Sequence, residues 1–489
     1  MDQPSFHQYN QDIMYHWIEA MANLGPRRAG SPADHKCEEF LFGKLKEFGL
    51  ENVRKEPITV ESWECHNHSF DVFNGTGFQN IAAQWIPYCA FTPEQGIEAE
   101  LVYADPSKFI QGGNWKGKIV VTDICFPKLD VQLLRKFSFG FYDPDDNMDN
   151  IDHPATWVRI NWHFYKKAFQ KGAVGFIGIL KDQPGGSYRM YAPYGFKEKD
   201  ILDKPIPGFW VSRNDGSFLR DAAKNGMKAK MKIEGSRKPA VTHNVMGEIH
   251  GRSDETVVIH CHHDSPFMSP VEDASGCAVI LAIAEYLAKQ KNLKRNLLVL
   301  FTAGHFYGSI GTRQFIEKHR DDIVRNVALE ITVEHIAKEA IEDKGGNLIE
   351  SGEPEGTGIF IPFNQTMVDA IMKNLKENQV NRVFLLPPEG PLGDYPPTDG
   401  GDWYEAGIPV VNAISNPVYL LNEEDDFHWV LKERLPRVAG FVTDLVKEVD
   451  KMDKETIARV EFKGFKRKMK VIKTLARAKT TRLGTRPVY

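Results

Sequence analysis

Three short apolar runs, TVVIHC (256–261), NLLVLFTA (296–303) and NVALEITV (326–333), constrain the fold more than any other feature of this chain. Each suits one buried strand and falls short of the ~18 apolar residues that read as a membrane-spanning helix. Helical periodicity over 274–289 and again near 311–319 separates them. Strands that are apolar along their whole length, rather than at alternate residues, are covered on both faces. Their alternation with helices predicts an α/β fold of three layers, α/β/α, around a mixed central sheet. HNVMGEIHG (243–251) and IPVVNAIS (408–415) supply further strands, and helices after Leu431 close the layer. Two more helices, over 8–24 and 34–48, open the chain on either side of GPRRAGSP, where Ser31 and Asp34 offer caps.

A chain of 489 residues exceeds one ordinary domain. From about residue 82 to 242 the texture changes to short strands and turns, in IEAELVY, GKIVVTDI, GAVGFIGIL, PIPGFWVS and MKAKMKIEG. The expected organisation is a discontinuous α/β domain over 1–80 and 243–461, a mainly β domain inserted over 81–242, and a tail over 462–489. That tail holds ten basic residues and no acidic one, leaving 51 basic against 66 acidic side chains, −15, in the preceding 461 residues. Opposite charges favour a terminal arm that packs on another subunit, hence a homo-oligomer, and no module that reads nucleic acid is present. No signal-like N-terminus and no spanning segment is seen, so the expectation is a cytoplasmic protein without a membrane partner. Six scattered cysteines, without CxxC pairs, read as mostly buried free thiols rather than disulfides.

In an open α/β sheet, ligands bind just beyond the carboxyl ends of the strands. After TVVIHC come His262, His263 and Asp264, followed by a loop with Glu272 and Asp273; after NLLVLFTA come Gly304 and His305; after NVALEITV come Glu334 and His335. Imidazoles and carboxylates thus meet at one sheet edge, a donor mixture that suits a divalent ion of the zinc or non-haem iron kind. If strand alternation continues, His263 and His335 point away from that edge, and Asp273 serves the following helix as a cap. The Gly- and Pro-rich span 342–402 reads as a long loop that is either a lid over the site or a solvated excursion.

These pieces resemble the zinc aminopeptidase family that includes bacterial leucyl aminopeptidase, glutamate carboxypeptidase and the peptidase-inactive transferrin receptor ectodomain. The resemblance rests on LGPRRAGSPADHKCEEFLFGKLKEFGLENV, HHDSP, EDASG, GSIGTRQF and TDGGDWYEAGIPVV, and on a likeness of GNWKGKIVV, KGAVGFIGI and IPGFWVSRNDG to a protease-associated domain. It implies His262 as a metal ligand, Asp264 as the group orienting it, Glu272 at the bridging carboxylate and Glu334 at a further ligand position. The family's Glu-Glu pair falls on Gly304-His305 or His305-Phe306, and its terminal His falls on Leu420 or Leu421, which cannot ligate. The resemblance therefore implies one metal ion, zinc ahead of iron or manganese, held by His262, Glu272 and Glu334, with His305 either a fourth ligand or the acid/base. His263, Asp273, His335 and Asp399 would shape the substrate pocket, while His428 stays at the surface. The expected function is a metal-dependent hydrolase acting on an amide or related bond of a small or short peptide-like substrate, outside ordinary aminopeptidase chemistry. The alternatives are a metal-dependent lyase or isomerase at the same site, or an inactive homologue with a binding role.

Overall fold

The computed structural model describes residues 5–466 except 109–111, 127, 129, 152–153, 156–159, 192–204, 291 and 391–392, together with residue 468. Residues 467 and 469–489 of the basic tail lie outside the described residues. Helices α1 (Gln11–Ala22) and α2 (Pro32–Glu47) open the fold on side-chain caps: Asn10 accepts the N–H groups of Asp12 and Ile13, and Ser31 that of Asp34. Strand β1 (Glu51–Phe73) follows, then β2 (Phe78–Asn80), β3 (Ala83–Trp85), β4 (Ile97–Tyr103), β5 (Ile119–Ile124), helix α3 (Val131–Phe137), β6 (Gly140–Tyr142), α4 (Ile160–Gln170), β7 (Gly175–Leu180), β8 (Gly208–Ser212), α5 (Gly216–Lys224) and β9 (Lys228–Ile249). Helices α3, α4 and α5 add to the strands expected in this stretch.

The long strands β1 and β9 form one antiparallel ribbon, from Glu51 opposite Glu248 to Val72 opposite Ala229. At its far end β9 pairs with β4, whose neighbours β5, β7 and β8 are parallel. At its near end β9 pairs with a second set of strands: β10 (Thr256–His262), β11 (Asn296–Thr302), β12 (Val327–Val333) and β17 (Val410–Ser415). Their order is β11-β10-β12-β17, all parallel, so their carboxyl ends line up. The ribbon joins both sets into a single 15-stranded sheet, and its strand β9 runs through residues 242/243 without a break.

Successive side chains of the central strands are buried on alternate faces. Val257, Ile259 and Cys261 of β10, with Leu297, Val299 and Phe301 of β11, pack into the core under α1, α2, α6 (Gly276–Ala288) and α10 (Arg434–Val449). Val258, Leu298 and Leu300 point the other way, against Phe315 of α7 (Ile310–Lys318) and Trp403 of α9 (Gly400–Glu405). Both faces are covered, which is why these strands read as continuous apolar runs and why the fold is α/β with three layers. Around β4, β5, β7 and β8 a separate core forms, including Phe176, Phe209 and Trp210.

The span 342–402 is not a structureless loop. It contains the end of the hairpin β13 (Lys338–Glu342) and β14 (Leu348–Pro354), then β15 (Thr357–Phe360), helix α8 (Gln365–Glu377) and β16 (Val383–Leu386). The apolar residues Met367, Ile371 and Leu375, at helical spacing, seat α8 in the main core. Edge pairings of β17 with β15, β15 with β16 and β16 with β6 complete the sheet. All six cysteines are free thiols, four of them buried. Among the described residues no helix is long and apolar enough to cross a membrane.

Candidate metal centre

Because β10, β11, β12 and β17 run in parallel, the chain's chemistry collects where their carboxyl ends emerge. Strand β10 ends at His262, fully buried, whose Nδ1 donates to the Asp264 backbone carbonyl at 2.9 Å. That bond fixes the tautomer and leaves Nε2 as the lone-pair nitrogen, 3.2 Å from Glu272 Oε1. Glu272 reaches the site from the turn before α6. A Cβ at Gly276 would lie 2.4 Å from the Val333 carbonyl oxygen, so only glycine lets α6 start this close to the end of β12. Strand β12 delivers Glu334, whose Oε1 accepts the Asp399 N–H at 3.1 Å. From the loop after β11 comes His305, its ring stacked on that of His262 with centroids 4.1 Å apart. Its Nδ1 lies 2.6 Å from Asp399 Oδ1.

Two expectations need correction. His335 does not point away: its backbone is left-handed, with φ 59°, so strand alternation stops one residue after β12. Its Nδ1 donates to the Ser415 carbonyl at 2.8 Å and its Nε2 contacts Glu272 Oε2, which makes His335 a member of the cluster. Asp399 is likewise more than a pocket-shaping residue. Ligand atoms of His262, His305 and Asp399 all lie within 4.8 Å of one another. Asp264 orients His262 as expected, with its carbonyl 2.9 Å and its Oδ1 3.6 Å from Nδ1, and its carboxylate also accepts the N–H groups of His305 at 3.0 Å and Phe306 at 3.3 Å.

His263 does turn away. Its Nε2 donates to the His243 carbonyl at 3.0 Å and its Nδ1 lies 3.2 Å from Asp34, part of a cluster with Glu38, His243 and His35. Lys55, 3.5 Å from Glu38, already supplies a cation there, so that cluster reads as an ion-pair network. Asp273 caps α6 as expected, accepting the Gly276 N–H at 3.2 Å, and its Oδ1 also takes the His335 N–H at 3.2 Å. His263 and Asp273 therefore lie outside the pocket. Leu420 and Leu421 stand in the pocket wall beside Glu272 and Glu334, and exposed His428 pairs with Glu350 at 3.0 Å.

The electrostatics show how strongly these groups depend on one another. Against the cost of burial, His335 and His262 hold the Glu272 carboxyl well below its usual range, and His305 and His262 do the same for Asp399. Glu334 is pushed up, by burial and by the Asp399 charge. Burial opposes the charge on His335, yet Glu272 raises it to about 10. Even so, while His262 Nε2 and His335 Nε2 face the two Glu272 oxygens, Asp399 Oδ2 and Asp273 Oδ2 are buried atoms without a hydrogen-bond partner. Each such orphan costs on the order of 1–3 kcal/mol. Imidazole nitrogens and carboxylate oxygens gathered in this way suit a divalent cation, zinc, iron or manganese by donor type.

One positioning residue had no signal in the sequence. Asp425, fully buried, accepts the N–H groups of Val271 at 3.1 Å and Glu272 at 3.0 Å, and burial pushes its carboxyl up to about 7. Removing it in Asp425→Ala leaves two buried N–H groups unpaired directly behind Glu272. We expect metal affinity to fall by about 10–100-fold and stability by about 1–3 kcal/mol, read by titration calorimetry and urea unfolding. Affinity within twofold of the parent would show that Asp425 does not hold Glu272.

An α/β/α sheet with a buried His and carboxylate cluster at its carboxyl edge has the donor set of a divalent-metal site. Comparison with known proteins sharpens this: residues 244–429 match the model of Peptidase family M28. Carboxypeptidase Q of Homo sapiens is 25% identical over 405 residues, covering 80% of this chain and 75% of that one, and the Xenopus laevis protein is 24% identical over 399, covering 79% and 74%. Two solved structures share the fold. The zinc aminopeptidase BSAP from Bacillus subtilis has a TM-score of 0.67 at 17% identity, covering 94% of this chain and 99% of its own. A Peptidase M28 precursor from Shewanella amazonensis has a TM-score of 0.68 at 18% identity, covering 90% and 94%.

Proposed function

We propose that this chain is an M28-type but atypical hydrolase, working with a divalent ion on an amide or related bond of a small or short peptide-like substrate. The observation that carries this is the convergence of buried donor atoms of His262, Glu272 and Asp399 beside His305 and Glu334. His262, Glu272 and Glu334 would hold the ion, which when bound supplies a Lewis acid for the carbonyl and acidifies water near neutral pH. His305 takes the place of the family's carboxylate base. Asp399 anchors its Nδ1, as an orienting carboxylate does for a catalytic histidine, so that the other ring nitrogen can move a proton.

Glu272, His305, Glu334 and His335 form the polar end of a cavity of about 90 Å³. Its remaining wall is largely apolar, with Leu134, Phe360, Phe384, Leu386, Ile414 and Leu420 among the lining residues. That wall excludes water and favours a substrate whose apolar group lies next to the scissile bond. The same reading includes a protease-associated role for residues 81–242 and a cytoplasmic homo-oligomer. Metal analysis of the purified chain, followed by incubation with hydrophobic aminoacyl and N-acyl anilides, tests it. We expect bound zinc, iron or manganese and chelator-sensitive anilide release. A chain that takes up no metal, or a metal-loaded chain inert on the whole panel, would overturn the hydrolase reading.

A further inference from the structure

Two asparagines at β17 use their side chains in opposite ways. Asn412, fully buried, donates to Glu330 at 2.8 Å and accepts the Thr398 hydroxyl at 3.0 Å. Asn416, the first residue past the strand's carboxyl end, uses neither atom: its Oδ1 and Nδ2 are both buried and both lack a hydrogen-bond partner. A leucine would fill a similar volume without leaving a donor and an acceptor unpaired, so the carboxamide is a cost to the fold. Asn416 lines the same cavity as the metal cluster, among apolar residues that include Ile414 and Leu420. Its position is fixed by its neighbour. Ser415 accepts the Nδ1 hydrogen of His335 at 2.8 Å and gives its hydroxyl to the His335 carbonyl at 2.6 Å, which sets Asn416 one residue from the cluster. Residues just past the carboxyl end of a parallel strand are where such a sheet meets its ligand.

Both atoms of a carboxamide are satisfied together by a partner that offers a donor and an acceptor side by side. An extended peptide residue does this, since its N–H and C=O point to the same side, as they do between paired antiparallel strands. We infer that Asn416 is a specificity-determining residue for a peptide-like substrate: its Oδ1 accepts the N–H, and its Nδ2 donates to the C=O, of the residue that precedes the one bearing the scissile carbonyl. This rests on the proposed hydrolase reading and narrows its substrate class. The apolar wall selects an apolar side chain, but it tells substrates apart mainly by size. The carboxamide adds a demand for a second peptide unit, because a substrate without one leaves the donor and the acceptor buried and unpaired.

The probes are acetyl-alanyl-leucinamide and acetyl-lactyl-leucinamide, alike except that an ester oxygen replaces the alanine N–H. The terminal carboxamide of each takes the place of the scissile bond. Their binding to the full chain, to Asn416→Leu and to Asn416→Asp is measured by calorimetry, with urea unfolding of each protein and release from acetyl-alanyl-leucine p-nitroanilide followed in parallel. We expect the wild type to bind the peptide at least about 10-fold more tightly than the ester. In Asn416→Leu that preference should vanish, peptide affinity should fall about 10–100-fold, and the unfolding midpoint should stay at or above the parental value. Asn416→Asp keeps an acceptor for the N–H, so it should bind the peptide more weakly yet keep the preference, and it decides the matter if the leucine variant fails to fold. A wild type that binds both compounds alike or binds neither, a preference that survives Asn416→Leu, or one that is lost in Asn416→Asp would overturn the inference. Preference without anilide release leaves the Asn416 subsite standing and removes the hydrolase reading; release without preference does the reverse.

Discussion

A chain with glutamine at position 272 should lose its metal and a large part of its stability together. Glu272 contacts both carbonyl-anchored histidines, and Asp425 fixes its main chain from behind. A carboxamide keeps the size but offers one weak acceptor oxygen. Its NH₂ group would donate to one of the imidazole nitrogens and block it. Metal affinity should drop by more than the about 10–100-fold typical of residues that act through a ligand. In the stripped protein the same change removes the anion that faces His262 and His335 in a buried site, and breaking a buried pair in this way costs about 3–5 kcal/mol. Calorimetric titration with zinc and urea unfolding of the stripped protein read the two effects separately. Metal affinity at the parental level in Glu272→Gln would remove Glu272 from the centre.

Much of this centre is legible in the sequence because parallel strands have a fixed polarity. Once TVVIHC, NLLVLFTA and NVALEITV are read as buried neighbours, His262, His305 and Glu334 must emerge at one edge, and they do. Loop geometry is where legibility ends. The inward turn of His335 depends on a left-handed residue that is not glycine, and no periodic pattern signals it. Asp399 enters from the turn before α9, where its N–H binds Glu334, a contact between residues far apart in the chain. Asp425 acts by accepting backbone hydrogens, which leaves no trace in composition or spacing. The opposite error arises in 342–402, where glycines and prolines mask the apolar spacing of Met367, Ile371 and Leu375 that makes α8 a core helix.

The pairing of His305 with Asp399 leads to a second large effect, one that separates the two roles open to His305. If His305 moves the proton, His305→Ala should lower kcat on the best anilide of the panel by about 10²–10⁴-fold while the metal content of the chain stays at the parental level. Asp399→Asn should fall in the same range, because an asparagine would present its NH₂ or a neutral oxygen to Nδ1 and no longer fix the tautomer; the equivalent change in an orienting aspartate elsewhere costs about 10⁴-fold. Asp399 also lies within ligand distance of His262, so its variant alone is ambiguous. His305 resolves it, since its ring stacks flat against that of His262 and its Nδ1 is already committed to Asp399 at 2.6 Å. Steady-state kinetics with metal analysis on the same preparations separate the cases. Loss of activity with metal retained identifies a proton shuttle. Loss of metal and activity in proportion makes His305 a ligand, and the base must then be sought among the remaining carboxylates of the site, with Glu334, which burial and Asp399 push up, the first to replace by glutamine.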